Sequence, residues 1–134
     1  MRTETPRTIR LQDYRAPDYR IAEIALDFSL DPQATRVKAT SKIERRGAAD
    51  APLTLNGEDL KLISLALDGH PLAPDAYAVD DESLTIHNPP DQFTLEIVTE
   101  IAPAKNTALE GLYMAGGIFC TQCEAEGFRR ITYF

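Results

Sequence analysis

The sequence of 134 residues contains no tryptophan, two cysteines and two histidines. A structural zinc site takes four ligands, so the two cysteines would need two further partners. The histidines, His70 and His87, lie in or beside turns and lack the spacing of a zinc finger. We therefore expect no metal site within this chain.

Basic residues and long apolar runs are also scarce. The sequence has 14 Lys and Arg residues and 21 Asp and Glu residues, which gives a net charge of -7. Such a surface repels phosphate backbones and favours cationic ligands. No apolar run approaches the roughly 18 residues of a membrane span, and the N-terminus lacks the apolar core of a signal peptide. The sequence predicts a cytoplasmic protein with neither nucleic acid nor membrane as partner.

Two long stretches, residues 19–30 and 35–46, alternate apolar and polar side chains with a period of two. This alternation predicts strands with one buried and one solvated face. The turn at Asp31-Pro32 joins them into a hairpin. The predicted inward residues are Ala22, Ile24, Leu26, Phe28 and Leu30 on the first strand, and Val37, Ala39, Ser41 and Ile43 on the second.

Shorter strands separated by turns every 8 to 12 residues are predicted over the rest of the chain. The pattern indicates one all-β domain over residues 1–134, an antiparallel β-sandwich or open barrel with little helix. A polar arm is predicted before residue 11. The shorter strands are predicted at 52–55, 60–67, 77–79, 84–86, 93–101 and 130–134, with one weak helical turn within 107–114. Because the last strand reaches the final residue, we expect a fragment of a longer protein.

Reactive side chains concentrate in residues 119–130. Cys120 and Cys123 form a C-x-x-C pair, whose functional interpretation is a redox couple or half a zinc site. A redox couple would precede a helix in a βαβ unit, and none is predicted here. Two packed thiols are the favoured interpretation.

Glu124 and Glu126 flank Ala125, and alternate residues on a strand share a face. The two carboxylates could then serve acid–base chemistry or receive a cation. The competing interpretation is a solvated acidic turn, or local pairing with Arg129 and Arg130. His70, His87 and Glu110 are predicted to lie on the surface.

Four separated blocks of the chain resemble the N-terminal domain of the bacterial aminopeptidase N family, which are zinc metallopeptidases of the gluzincin type. The blocks are residues 13–19, 55–60, 107–113 and 119–133. The resemblance implies a saddle-like β-domain that covers a catalytic domain. The zinc ligands and the H-E-x-x-H helix of the family are absent from this sequence. The resemblance thus implies a fragment that has no catalytic residue, binds no zinc and is inactive alone, whereas the full-length enzyme holds zinc.

The resemblance also assigns two substrate-binding residues. At the positions of Glu124 and Gln122, the family binds the free α-amino group of a peptide. The implied partners are peptides with a free N-terminus and the downstream catalytic domain. A cis peptide bond is implied between Glu124 and Ala125, and no role carries over to Glu126.

Two other functions stay open on the residues alone. One is a stand-alone β-sandwich module for binding or interaction. The other is a thiol redox protein, which predicts a disulfide between Cys120 and Cys123.

Overall fold

The computed structural model describes residues 8–134, so most of the predicted N-terminal arm lies outside the described residues. Within this range the chain forms strands and short 3-10 helices. The strands are β1 (Tyr19–Ser29), β2 (Thr35–Arg45), β3 (Leu53–Asn56), β4 (Lys61–Leu67), β5 (His70–Pro71), β6 (Tyr77–Val79), β7 (Ser83–Ile86), β8 (Gln92–Ile101), β9 (Gly111–Ala115) and β10 (Ile118–Gln122). The 3-10 helices are η1 (Leu11–Asp13), η2 (Pro103–Lys105) and η3 (Gly127–Arg130).

The strands form three antiparallel sheets. The large sheet has the order β1-β2-β8-β4-β5, the small sheet β3-β7-β6, and β9 pairs with β10 in a separate hairpin. Side chains of the large and small sheets meet in one core. Its buried members are Ile43, Leu53, Leu55, Leu65, Leu84, Ile86, Phe93, Leu95, Ile97 and Tyr133. The predicted all-β, sandwich-like fold is confirmed.

The centre of the large sheet follows the predicted alternation. On β2 the residues predicted to face inward are all buried, and every second residue of β8 is buried as well. The opposite face carries ion pairs between neighbouring strands, such as Arg36 with Glu100 at 2.7 Å and Lys42 with Glu23 at 3.0 Å. Exposed pairs of this kind each contribute little to stability. They keep the outer face of the sheet solvated, as predicted.

The inward face of β1 was predicted only in part. A register shift between Ile21 and Glu23 marks a β-bulge, which adds one residue and reverses the alternation. Ile21 therefore faces inward before the bulge and Ile24 after it, whereas Ala22 is exposed. Phe28 lies opposite the buried Val37, on the face that was predicted, but it is 36% exposed because β1 is an edge strand. The prediction for Leu30 as an inward residue is wrong, because β1 ends at Ser29 and Leu30 is exposed.

The end of the chain differs from its predicted strand. Residues 127–130 form η3, and Phe134 alone exchanges backbone hydrogen bonds with Asn56, at 2.9 and 3.0 Å. Between them Ile131 and Tyr133 are 3% and 4% exposed. Tyr133 packs in the core described above and Ile131 in a second buried cluster with Val37, Ile101 and Leu112, and no strand within residues 8–134 forms a ladder with them.

Burial of Tyr133 predicts a loss of stability in alkali. Burial, and then the negative charge of Asp80, raise the pKa of the Tyr133 phenol above its usual 10.0. The folded state therefore favours the neutral phenol. Its contribution is complete below about pH 10 and is lost as the pH rises through the raised pKa. We expect the free energy of unfolding, measured in urea, to be unaffected by this group below about pH 10 and to fall as the pH rises above that value.

Tyr133→Phe should flatten this decline, because phenylalanine has no proton to lose. Tyr14→Phe, at an exposed tyrosine, controls for the loss of one phenol. An equally steep decline in Tyr133→Phe and in the unmodified chain would contradict the assignment.

Candidate functional site

The stretch of reactive residues, 119–130, begins on the second strand of the hairpin formed by β9 and β10. Its turn is Gly116-Gly117, with φ of 57° and 81°. Two successive left-handed residues suit a two-residue hairpin turn, and glycine adopts them without steric cost. This hairpin was not among the predicted elements. The pairing sets Gln122, the last residue of β10, opposite Gly111, the first residue of β9.

The helical turn predicted within residues 107–114 is wrong. The side chain of Asn106 accepts a hydrogen bond from Ala108 N–H at 3.0 Å and donates to the carbonyls of Glu110 and Leu112 at 2.8 and 2.9 Å. These bonds satisfy backbone groups that a helix would have used. They hold the segment as a loop that leads into β9.

Beyond Gln122 the chain turns sharply and carries Glu124 at the turn. The Glu124 N–H donates to Gln122 Oε1 at 3.0 Å, and Gly127 N–H donates to the Cys123 carbonyl at 3.1 Å. The peptide bond between Glu124 and Ala125 is cis, as the resemblance implied. The structure thus brings the two predicted substrate-binding residues together. We call residues 123–126 the Glu124 loop.

The two glutamates of this loop have different surroundings. Because β10 ends at Gln122, strand alternation does not apply, and the prediction that Glu124 and Glu126 share a strand face is wrong. Glu126 forms an ion pair with Arg129 at 3.4 Å, which is the predicted local pairing. The Glu124 carboxylate is exposed and has no ion-pair partner within residues 8–134. Of the two, it is the one open to an external cation.

Both cysteines are free thiols, so the disulfide predicted by the redox interpretation is not formed. Cys120 is half-buried on β10, in accord with a packing role. Cys123 is exposed in the Glu124 loop, and its prediction as a packed thiol is wrong because it lies beyond the end of the strand. His70 and His87 are exposed, as predicted.

Arg130 lies at the centre of a cluster that the sequence analysis missed. Its guanidinium contacts Glu58 at 2.8 Å, Asp59 at 2.6 Å and Glu110 at 3.3 Å. The Arg130 side chain is only 14% exposed. The prediction that Glu110 is an ordinary surface residue is wrong, because it is half-buried and paired. The partners lie far away in sequence, and the only signal for them was that residues 55–60 and 107–113 both belong to the blocks of resemblance.

A cleft of about 640 Å³ lies beside this cluster. Asp59, Lys105, Glu110 and Arg130 contribute polar groups to its lining, whereas Gln122 and Glu124 do not line it. The Glu124 loop is therefore not part of this cleft.

Residues 8–134 include no group of three or more His, Cys, Asp and Glu side chains that could hold a metal ion. No helix among them is long and apolar enough to cross a membrane.

No protein-family model matches the chain. It is similar to the aminopeptidase N of Caulobacter vibrioides, with 55% identity over 134 residues that cover 100% of this chain and 16% of the relative. It is also similar to the aminopeptidase N of Escherichia coli, with 54% identity over 132 residues that cover 98% of this chain and 15% of the relative. The chain thus spans less than a fifth of the length of either relative.

Two solved structures contain a region with the same fold. Aminopeptidase A of Legionella pneumophila, solved in complex with aspartic acid, superposes on this chain with a TM-score of 0.83 at 30% identity. The superposed region covers 93% of this chain and 15% of the Legionella chain. An M1 zinc metallopeptidase of Deinococcus radiodurans shares the fold, with a TM-score of 0.69 at 12% identity over 87% of this chain and 29% of its own.

The fold is therefore that of a β-domain found in M1 zinc metallopeptidases. Within this class, the predicted match to the N-terminal domain of bacterial aminopeptidase N is confirmed.

Proposed function

We propose that the chain acts as the N-terminal domain of a zinc aminopeptidase, and that the Glu124 carboxylate binds the α-ammonium of peptide substrates. The observation that carries this proposal is the contrast within the Glu124 loop. Glu126 is paired with Arg129, while Glu124 is exposed and unpaired among residues 8–134. The similarity to two aminopeptidases N supports the proposal.

The chemistry of the two side chains suits an α-ammonium, a small cation with three donors. The Glu124 carboxylate can accept a charge-assisted hydrogen bond from it. Gln122 Oε1 accepts one bond from Glu124 N–H, and an amide oxygen has a second lone pair for another donor. Binding of the amine fixes the first residue of the peptide relative to the peptide bond that is hydrolysed.

The described residues do not fit a zinc site of their own. We therefore place the zinc of the proposed enzyme, which would polarise the scissile carbonyl and activate water, outside residues 8–134. The role of this domain is to bind and orient the substrate amine and to cover the catalytic domain of the same longer chain. We propose the cytoplasm as its location, and peptides with a free N-terminus as its substrates. No observation favours the alternative of a stand-alone binding module.

Glu124→Gln in the full-length enzyme tests the proposal. We expect KM for an alanyl- or leucyl-arylamide to rise roughly tenfold or more, because a hydrogen bond to a charged group is worth about 1.5–3 kcal/mol. Glu126→Gln is the matched control, since it removes a carboxylate two residues away that pairs with Arg129. The measurement is steady-state kinetics on both variants.

An unchanged KM in Glu124→Gln, or an equal rise in Glu126→Gln, would refute the proposal.

The isolated 134-residue chain, assayed with added zinc, should show no turnover. Turnover that scales with the amount of the chain would contradict the assignment of catalysis to another part of the enzyme.

A further inference from the structure

Arg130 links the segment that follows the Glu124 loop to the start of β9. It belongs to η3, which follows the loop directly. It pairs with Glu110, the residue before Gly111, and Gly111 is the strand partner of Gln122 at the other end of the loop. One side chain therefore links η3, which leaves the loop, to the start of β9, which is paired with the end of β10 that enters the loop.

The same guanidinium fixes this unit to the rest of the domain. Its remaining contacts are Glu58 at 2.8 Å and Asp59 at 2.6 Å, in the connection between β3 and β4. The Glu58 N–H also donates to the Arg129 carbonyl at 3.0 Å. A planar guanidinium can serve several carboxylates at once in a fixed geometry, which a lysine ammonium does not reproduce. The segment that follows the Glu124 loop is thus held against the connection between β3 and β4 by the Arg130 ion pairs and by this backbone hydrogen bond.

Backbone packing leaves this arrangement little freedom. Gly111 has a φ of 75°, and a Cβ there would lie 2.8 Å from Arg130 Cβ and 3.1 Å from the Gly127 carbonyl oxygen. The start of β9 and η3 are therefore in direct contact. A displacement of Arg130 would move the backbone on both sides of the Glu124 loop.

We propose that Arg130 is a positioning residue, which holds Glu124 and Gln122 in the geometry that binds the substrate amine. The proposal rests on the proposed function of Glu124. Arg130 does not contact the substrate in this scheme. It acts through its ion pairs with Glu58, Asp59 and Glu110.

The experiment uses the full-length enzyme with Arg130→Met, Arg130→Lys and Glu110→Gln. We expect Arg130→Met to raise KM for an aminoacyl arylamide about three- to tenfold, with a much smaller change in kcat. Arg130→Lys should raise KM less than Arg130→Met does, because lysine keeps the positive charge but lacks the planar guanidinium. Arg36→Met, which breaks an exposed pair with Glu100 on the outer face of the large sheet, is the control.

A double-mutant cycle with Glu124→Gln separates positioning from a general effect on the fold. If Arg130 acts through Glu124, Arg130→Met should change KM by less than about twofold once Glu124 is already glutamine. If it raises KM by the same factor in both backgrounds, the positioning role is overturned. Where Arg130→Met fails to fold, the same cycle with Glu110→Gln decides between these outcomes.

The two proposals fail in different ways. An unchanged KM in Glu124→Gln alone removes the proposed function, and the positioning role with it. A raised KM in Glu124→Gln, with an unchanged or independent effect of Arg130→Met, removes the positioning role only.

Discussion

Gly127→Ala should destabilise the chain by roughly 3 kcal/mol or more and disorder the Glu124 loop, because overpacking against fixed atoms costs about 1–3 kcal/mol and occasionally more. A Cβ at Gly127 would overlap the carbonyl oxygen of Gln122 and lie 2.9 Å from Gly111 N. Both neighbours are backbone atoms of the paired β9 and β10, so neither can rotate away. Relief of the overlap requires η3 to separate from the hairpin.

The measurement is urea denaturation of Gly127→Ala beside Gly69→Ala. Gly69 has a φ of 80° but no atom within 4 Å of an added Cβ, so its substitution adds backbone strain without overlap. We expect the control to cost about 1 kcal/mol. If the two substitutions cost the same, the close packing of η3 on the hairpin is wrong.

Arg45→Met should cost about 3 kcal/mol, because it removes several buried hydrogen bonds from a charged donor, which are worth about 1.5–3 kcal/mol each when they do not share their acceptors. The Arg45 side chain is 8% exposed. Its guanidinium donates to the carbonyls of Ala48 at 2.8 Å, Ala51 at 3.1 Å and Pro89 at 2.7 Å. The ion pair with Asp91, which is 85% exposed, adds little by comparison. Most of the loss arises because three carbonyls lose a charged donor, although Ala48 O keeps the Ala51 N–H and Ala51 O keeps the Tyr19 hydroxyl.

The consequences should extend to the loops at this end of the sandwich. Arg45 stacks over the Tyr19 ring at 5.0 Å, and Tyr19 OH donates to the Ala51 carbonyl at 2.6 Å. Arg36→Met should cost less than about 1 kcal/mol in the same urea titration, because its pair with Glu100 is exposed. Equal losses in the two variants would contradict the role of Arg45 as the centre of this network.

The strands that could be predicted are those whose burial follows local alternation. β2 and β8 lie inside the large sheet, so every second residue is buried and the pattern is visible in sequence. The bulge in β1 was not predictable in this way, because one inserted residue leaves each half of the strand looking regular. The β9–β10 hairpin was missed because Gly116-Gly117 was not recognised as its turn.

For the site, the residues alone left the role of the two glutamates open, and Gln122 and Glu124 were singled out by the resemblance. The structure adds the physical difference between Glu124 and Glu126, which depends on where β10 ends and on the ion pair with Arg129. The contacts of Arg130 could not be predicted, since 20 and 71 residues separate it from Glu110 and Asp59.

Recognition of a substrate amine by the Glu124 carboxylate can be tested by a competition assay on the full-length enzyme. Inhibition constants are measured for a pair of compounds that differ only in the α-amino group, an amino acid amide and its desamino analogue. We expect the unmodified enzyme to bind the amine more tightly by roughly tenfold or more, and Glu124→Gln to lose most of this preference. A preference that is equally strong in Glu124→Gln would contradict this role of the Glu124 carboxylate.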